Sequence, residues 1–263
     1  MSALRDHARA VAAAFTFLTR LPLGNLASHN PADLPRAAIY FPAVGLAVGL
    51  AGTATYAAAS LLWPTSVAVA LSMVGTTLVT GAFHEDALAD ALDGFGGGWT
   101  KDRVLAIMKD SRVGSYALVG TALALILKFA TLVAIADSSR SVRAVTMALI
   151  AAHVSARWSS LLLIWRYPYV RPTTEGDRSS AGRPFVDGMT PTRLLAATVL
   201  AVVITATALG RASLVVFAVA VGVTALAGRY FDRRIGGITG DAVGAANQVV
   251  EICVYLALAA RLQ

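Results

Sequence analysis

The chain has 263 residues, 57% of them hydrophobic and only 14% charged, with a net charge of +7. A soluble domain carries nearer a quarter charged residues, so this composition points to a membrane protein. The basic surplus is spread over short loops between apolar runs, which argues against a nucleic-acid binder. A single cysteine, Cys253, rules out an intramolecular disulfide.

Residues 1–20 carry Arg5, Asp6, His7, Arg9 and Arg20 and have no continuous apolar core, so they do not read as a signal peptide. They read instead as an amphipathic interfacial helix with Leu4, Val11, Phe15 and Leu18 along one side. Beyond them, apolar runs of spanning length fall at roughly 38–62, 66–85, 114–136, 144–165, 194–209, 213–229 and 242–260. The runs are continuous and do not alternate, which excludes lipid-facing strands. The expected fold is therefore all-α: a single polytopic helical membrane domain over 1–263, with about seven transmembrane helices. Short amphipathic helices are expected on its cytoplasmic side, among them 101–110 capped by Thr100. With seven spans, sixteen of the 22 basic residues fall on one side and four on the other, while Lys128 and Arg157 lie inside spans. The richer side should be cytoplasmic.

At the end of the second run stands A-F-H-E-D-A-L-A-D-A-L-D-G-F-G-G-G, residues 82–98, holding Glu85, Asp86, Asp90 and Asp93 of the chain's 15 acids. Asp86, Asp90 and Asp93 are spaced i, i+4, i+7 and share one helix face, where like charges repel unless a cation sits among them. Oxygen-only ligands suit Mg²⁺, commonly shared between carboxylates and a substrate's phosphates. Glu85 points about a hundred degrees away; it either supports the metal set from behind or serves another ligand. His84 reads as a structural or supporting group rather than a base. Gly94–Gly98 should break the helix, and the backbone of Gly96, Gly97 and Gly98 then offers N–H groups to phosphate. Lys109, Asp110 and Arg112 follow in M-K-D-S-R-V-G, where the cations serve either phosphate binding or membrane anchoring. Deeper in the spans, His153 and Arg157 share a face, and Glu251 is the natural counter-ion for Lys128 or Arg157. These groups make a buried packing pair or line a polar cavity. Asp241 opens the last span, with Thr239 as its expected N-cap.

The stretches H-E-D-A-L-A-D-A-L-D-G-F-G-G-G-W, I-M-K-D-S-R-V-G-S-Y and G-G-I-T-G-D-A-V-G-A together resemble the cobalamin synthase family, the adenosylcobinamide-GDP ribazoletransferases. F-L-T-R-L-P at 17–22 and F-P-A-V-G-L at 41–46 fit the same pattern, so the resemblance runs along nearly the whole chain. Ala87 stands where the family usually has Gly, and 166–188 matches only loosely. The resemblance implies a bacterial inner-membrane enzyme of cobalamin biosynthesis that needs Mg²⁺ and works at the cytoplasmic face. It would join adenosylcobinamide-GDP to α-ribazole or its 5′-phosphate, releasing GMP. On this reading Asp86, Asp90, Asp93 and Glu85 make up the metal set. Asp93, ahead of Asp90, is the proton acceptor, and Lys109 and Arg112 neutralise phosphate. His84, Gly96–Gly98, Asp110, Lys128, Arg157 and Asp241 surround the substrates. The expected partners are small-molecule substrates and lipid, with no nucleic acid; a homo-oligomer or association with other cobalamin-pathway enzymes stays open. The alternatives are a Mg²⁺-dependent prenyltransferase, a phosphatidyl-alcohol phosphotransferase and a transporter. The first usually repeats D-x-x-x-D, the second needs D-G-x-x-A-R, and the third favours broken helices at mid-membrane.

Overall fold

A computed structural model describes residues 2–23, 34–139, 141–171 and 182–260, with side chains from Arg5 onward. The helices are α1 (Ser2–Leu18), α2 (Leu34–Ala37), α3 (Phe41–Ala59), α4 (Thr65–Thr80), α5 (Phe83–Gly97) and α6 (Lys101–Ile107). They continue with α7 (Ser115–Ser139), α8 (Val142–Arg166), α9 (Arg183–Asp187), α10 (Pro191–Leu209), α11 (Ser213–Ile235) and α12 (Gly240–Ala259). Among the described residues the only β pairing is one bridge, Tyr169 with Ile238, so the expected all-helical class holds. Part of the loosely matching loop lies outside the described residues.

Five stretches are long and apolar enough to cross a membrane, or six if α4 and α5 count as one broken span. The expected count of seven is not confirmed. The fifth and sixth expected spans belong to one 45-residue stretch, Pro191–Ile235, interrupted only by the 3₁₀ turn Gly210–Ala212. The second expected span ends early, at Thr80. There Gly81 (φ 67°) and Ala82 (φ 58°) both take the left-handed conformation, and α5 leaves α4 at 89°. An alanine with positive φ is uncommon and costs energy. Arg20 packs against Gly81, where a Cβ would fall 2.8 Å from its Cγ, and its backbone N–H donates to Val79 at 2.7 Å.

α8 is the central post: 89% of its apolar window is buried, against 22% for α7, which leaves much of α7 for lipid. α3, α10, α11 and α12 all pack on α8. Its closest neighbour is α3, because Gly45 and Gly49 present bare backbone to it. A Cβ at Gly45 would meet the His153 carbonyl oxygen at 2.5 Å, and one at Gly49 the Ile150 Cα at 3.0 Å. Small residues in this spacing let helices approach in lipid, where dispersion rather than water drives association. Gly45→Ala is expected to destabilise the fold by about 1–3 kcal/mol, seen as a lower unfolding temperature in detergent. No change would mean the helices part without cost.

Candidate active site

α5 ends as a helix later than its glycines suggest. It runs unbroken through Gly94, Phe95, Gly96 and Gly97, and only Gly98 leaves it, as C-cap with φ −100° and ψ 129°. The expected break at Gly94 is therefore corrected: packing overrides the low helix propensity of glycine. At three of the four glycines an added Cβ would strike a neighbour: Met108 Cγ at 2.5 Å from Gly94, the Tyr116 ring at 2.6 Å from Gly96, and Val104 from Gly98. The run thus seats α6 and the start of α7 against α5. Its C-terminal carbonyls are held by Arg234, whose Nη2 donates to the carbonyl oxygens of Phe95 (3.2 Å) and Gly98 (2.6 Å). Sequence reading gave Arg234 no role beyond loop charge.

With α5 helical, Asp86, Asp90 and Asp93 do share a face, but they do different things. Asp93 is buried, and both its oxygens accept backbone N–H groups at the start of α7: Gly114 N at 2.5 Å and Ala117 N at 2.8 Å. Gly114 permits this approach, since a Cβ there would fall 2.6 Å from the carboxylate. Asp93 therefore anchors a helix N-terminus, where a carboxylate is favourable. Asp93→Ala should cost about 1–2 kcal/mol, read by thermal unfolding, with turnover per folded molecule changing only a few-fold. Unchanged stability with collapsed turnover would return Asp93 to the chemistry.

Asp90, one turn back, is half-exposed and feels the charges of Asp241, Asp86 and Asp93, with Arg171 the cation among them. Asp241 comes from the first turn of α12, whose N-cap is Thr239 as expected, its hydroxyl accepting from Ala242 N at 3.1 Å. Arg171 reaches Asp241 because two backbone bonds tie the loop after α8 to the loop before α12: Val170 N to Ile238 O at 3.0 Å and Ile238 N to Pro168 O at 2.9 Å. The resulting Arg171–Asp241 contact is 2.6 Å. Sequence reading saw Arg171 only as one loop charge; its role needed the bridge. Asp86 and Asp241 both line a cavity of about 160 Å³ between α1, α5, α8 and α12.

Asp86, Asp90 and Asp241 feel one another's charge while Arg171 pairs with Asp241, which leaves an excess of negative charge in oxygen donors, a set that suits Mg²⁺. Among the described residues no group of three or more His, Cys, Asp or Glu is close enough to enclose a metal.

Glu85 turns the other way, into a buried network. Its Oε1 accepts from Gln248 Nε2 at 3.3 Å and lies 4.0 Å from Lys128 Nζ, and its Oε2 has no partner. Lys128 pairs with Glu251 at 2.6 Å and donates to Gln248 at 3.2 Å. Of the two counter-ions considered for Glu251, Lys128 makes the pair. His153 Nδ1 lies 3.3 Å from Glu251 and 3.2 Å from Arg157 Nη1, and Tyr255 donates to Glu251 at 3.4 Å. Lys128 and Glu85 thus stand with each other rather than with the aspartates. Arg157 and His84 touch both regions: they are buried, yet they line the same cavity as Asp86 and Asp241.

Asp110 and Arg112 pair at 2.6 Å on the surface. The Arg112 side chain pulls the Asp110 carboxyl down to about 2, so Asp110 stays ionised at neutral pH and is no proton donor there. With Asp93 and Gly97 they border a separate open hollow of about 350 Å³. Lys109 lies at the end of the turn after α6, where its backbone N–H donates to Ala106 O at 3.3 Å.

Similarity to known proteins joins this geometry at full length. The family model described as "Cobalamin-5-phosphate synthase" matches residues 10–259. The chain is 40% identical over 247 residues to a Shewanella frigidimarina protein named adenosylcobinamide-GDP ribazoletransferase, covering 94% of this chain and 92% of that one. It is 39% identical over 268 residues to a Ralstonia pickettii protein of the same name, covering 99% and 98%. No solved structure matches the chain. The match takes in α5, the 107–116 segment and the 236–245 turn, so this polytopic helical chain belongs to the cobalamin-5-phosphate synthase family.

Proposed function

We propose that the chain is an adenosylcobinamide-GDP ribazoletransferase of the bacterial inner membrane, with its site open to the cytoplasm. The observations that carry this are the Arg171–Asp241 pair and the mutual charge influence of Asp86, Asp90 and Asp241 next to a cavity lined by Asp86 and Asp241, in a chain matched end to end by proteins of that name.

A ribose hydroxyl oxygen of α-ribazole bonds to the phosphorus attached to cobinamide, the bond from that phosphorus to the GMP oxygen breaks, and GMP leaves. Asp90, half-exposed and free of a backbone partner, takes the hydroxyl proton on its carboxylate, in place of Asp93. Asp86 and Asp241 would hold Mg²⁺ with Asp90, and the ion would neutralise charge on the diphosphate. Arg171 holds Asp241 in place through their 2.6 Å contact. Most of the rate then comes from positioning and charge neutralisation.

The test is GMP release by purified protein. Release should require both substrates, stop with EDTA and return with Mg²⁺. Release from the cobinamide donor alone, or release indifferent to EDTA, would overturn the assignment.

A further inference from the structure

The cavity beside Asp86 and Asp241 has two kinds of lining. Phe17, Phe41, Phe83 and Phe185 form one aromatic cluster, with ring centroids 4.6 Å apart for Phe17 and Phe185, 5.3 Å for Phe41 and Phe185, and 5.5 Å for Phe17 and Phe83. Arg157 and Asn247, together with His84 and Ser160, supply polar groups deeper in the lining. Asn247 lies six residues beyond Asp241, about 9 Å further along α12 into the membrane. Arg157 is 2% exposed and Asn247 1%. Asn247 Nδ2 donates to Ser160 at 3.3 Å, yet Asn247 Oδ1 and Arg157 Nε have no partner among the described residues. Buried polar atoms left unpaired are costly, so two of them, each set in the wall on a residue that lines one cavity, need an account.

We infer that this cavity is the seat of the acceptor nucleoside's flat aromatic base, with Arg157 and Asn247 meeting its polar edge. The inference rests on the transferase reading and adds where the acceptor binds. Size fits one flat ring: a cavity of about 150 Å³ holds a benzene ring, so 160 Å³ takes the inner ring of the base and leaves the rest of the base and the ribose toward the mouth. The ribose then lies toward Asp86 and Asp241, where its hydroxyl is needed. Chemistry separates the two bases in the reaction. Guanine, on the departing nucleotide, has several donors and acceptors that need partners. An azole base has one ring nitrogen to satisfy and otherwise buries carbon, which suits four phenylalanines.

Val186, on the short peripheral helix α9, also lines the cavity. Val186→Trp fills the space from the edge of the fold, and size exclusion with thermal unfolding checks that the variant is folded. Its KM for α-ribazole should rise about tenfold or more, with KM for the cobinamide donor unchanged. Independently of any variant, benzimidazole should inhibit the wild type competitively against α-ribazole and not against the donor. If wild-type GMP release is intact but benzimidazole does not compete with α-ribazole, the base sits elsewhere. If the donor KM rises instead, the cavity holds guanine. Either result overturns the inference and leaves the transferase standing. If the wild type shows no two-substrate GMP release, the transferase reading fails and the inference goes with it.

Discussion

Asp86→Asn and Asp90→Asn should each lower GMP release by about a thousandfold or more, equivalent to ~4 kcal/mol of transition-state stabilisation. Neither has a side-chain hydrogen bond that holds the fold together, in contrast to Asp93, so both variants should stay monodisperse with a nearly unchanged unfolding temperature. Asparagine keeps the size and loses the charge. At Asp90 it also removes a partly exposed carboxylate that feels the charges of Asp86 and Asp241. Initial rates at saturating substrates and Mg²⁺ decide the matter. A loss below tenfold in both would show that neither carboxylate carries charge or proton in the reaction.

Lys128→Met should cost about 3–5 kcal/mol of stability, because it takes the 2.6 Å cation from Glu251 at 1% exposure and leaves only His153 and Tyr255 beside that charge. Glu251→Gln should cost a similar amount by leaving Lys128 without its 2.6 Å partner. The double variant should recover part of the loss, since glutamine still accepts from Tyr255 and the buried Glu251 charge is gone, while Glu85 still lacks the cation that stood 4.0 Å away. Thermal unfolding of the four proteins in one detergent closes the cycle. Additive losses would mean the two side chains act separately and the network does not hold α7 to α12.

Reading the chain as a sequence reached the site by periodicity. Helical spacing put Asp86, Asp90 and Asp93 on one face and turned Glu85 off it, and α5 keeps that spacing. Thr100, Thr239 and the His153–Arg157 pair were legible for the same reason: caps and i, i+4 neighbours are local. Two local signals misled. The glycines after Asp93 look like a break, yet Gly94, Gly96 and Gly98 each fill a place where a neighbour lies too close for a Cβ. The run 66–85 looks like one span, yet Gly81 and Ala82 turn it by 89°.

The sequence by itself determined that the chain is helical and membrane-bound, where its acids cluster, and which family it resembles. Those properties follow from composition and from repeats within a few residues. Only the tertiary structure decided which acid does what. Asp93 goes to the amides of Gly114 and Ala117, Glu85 to Gln248 and Lys128, and Asp90 to the space shared with Asp86, Asp241 and Arg171. Those partners lie 21 to 163 residues away where a bond is made. Contacts at such separations are set by helix packing around α8 and by the short bridge at Ile238, which no local pattern encodes.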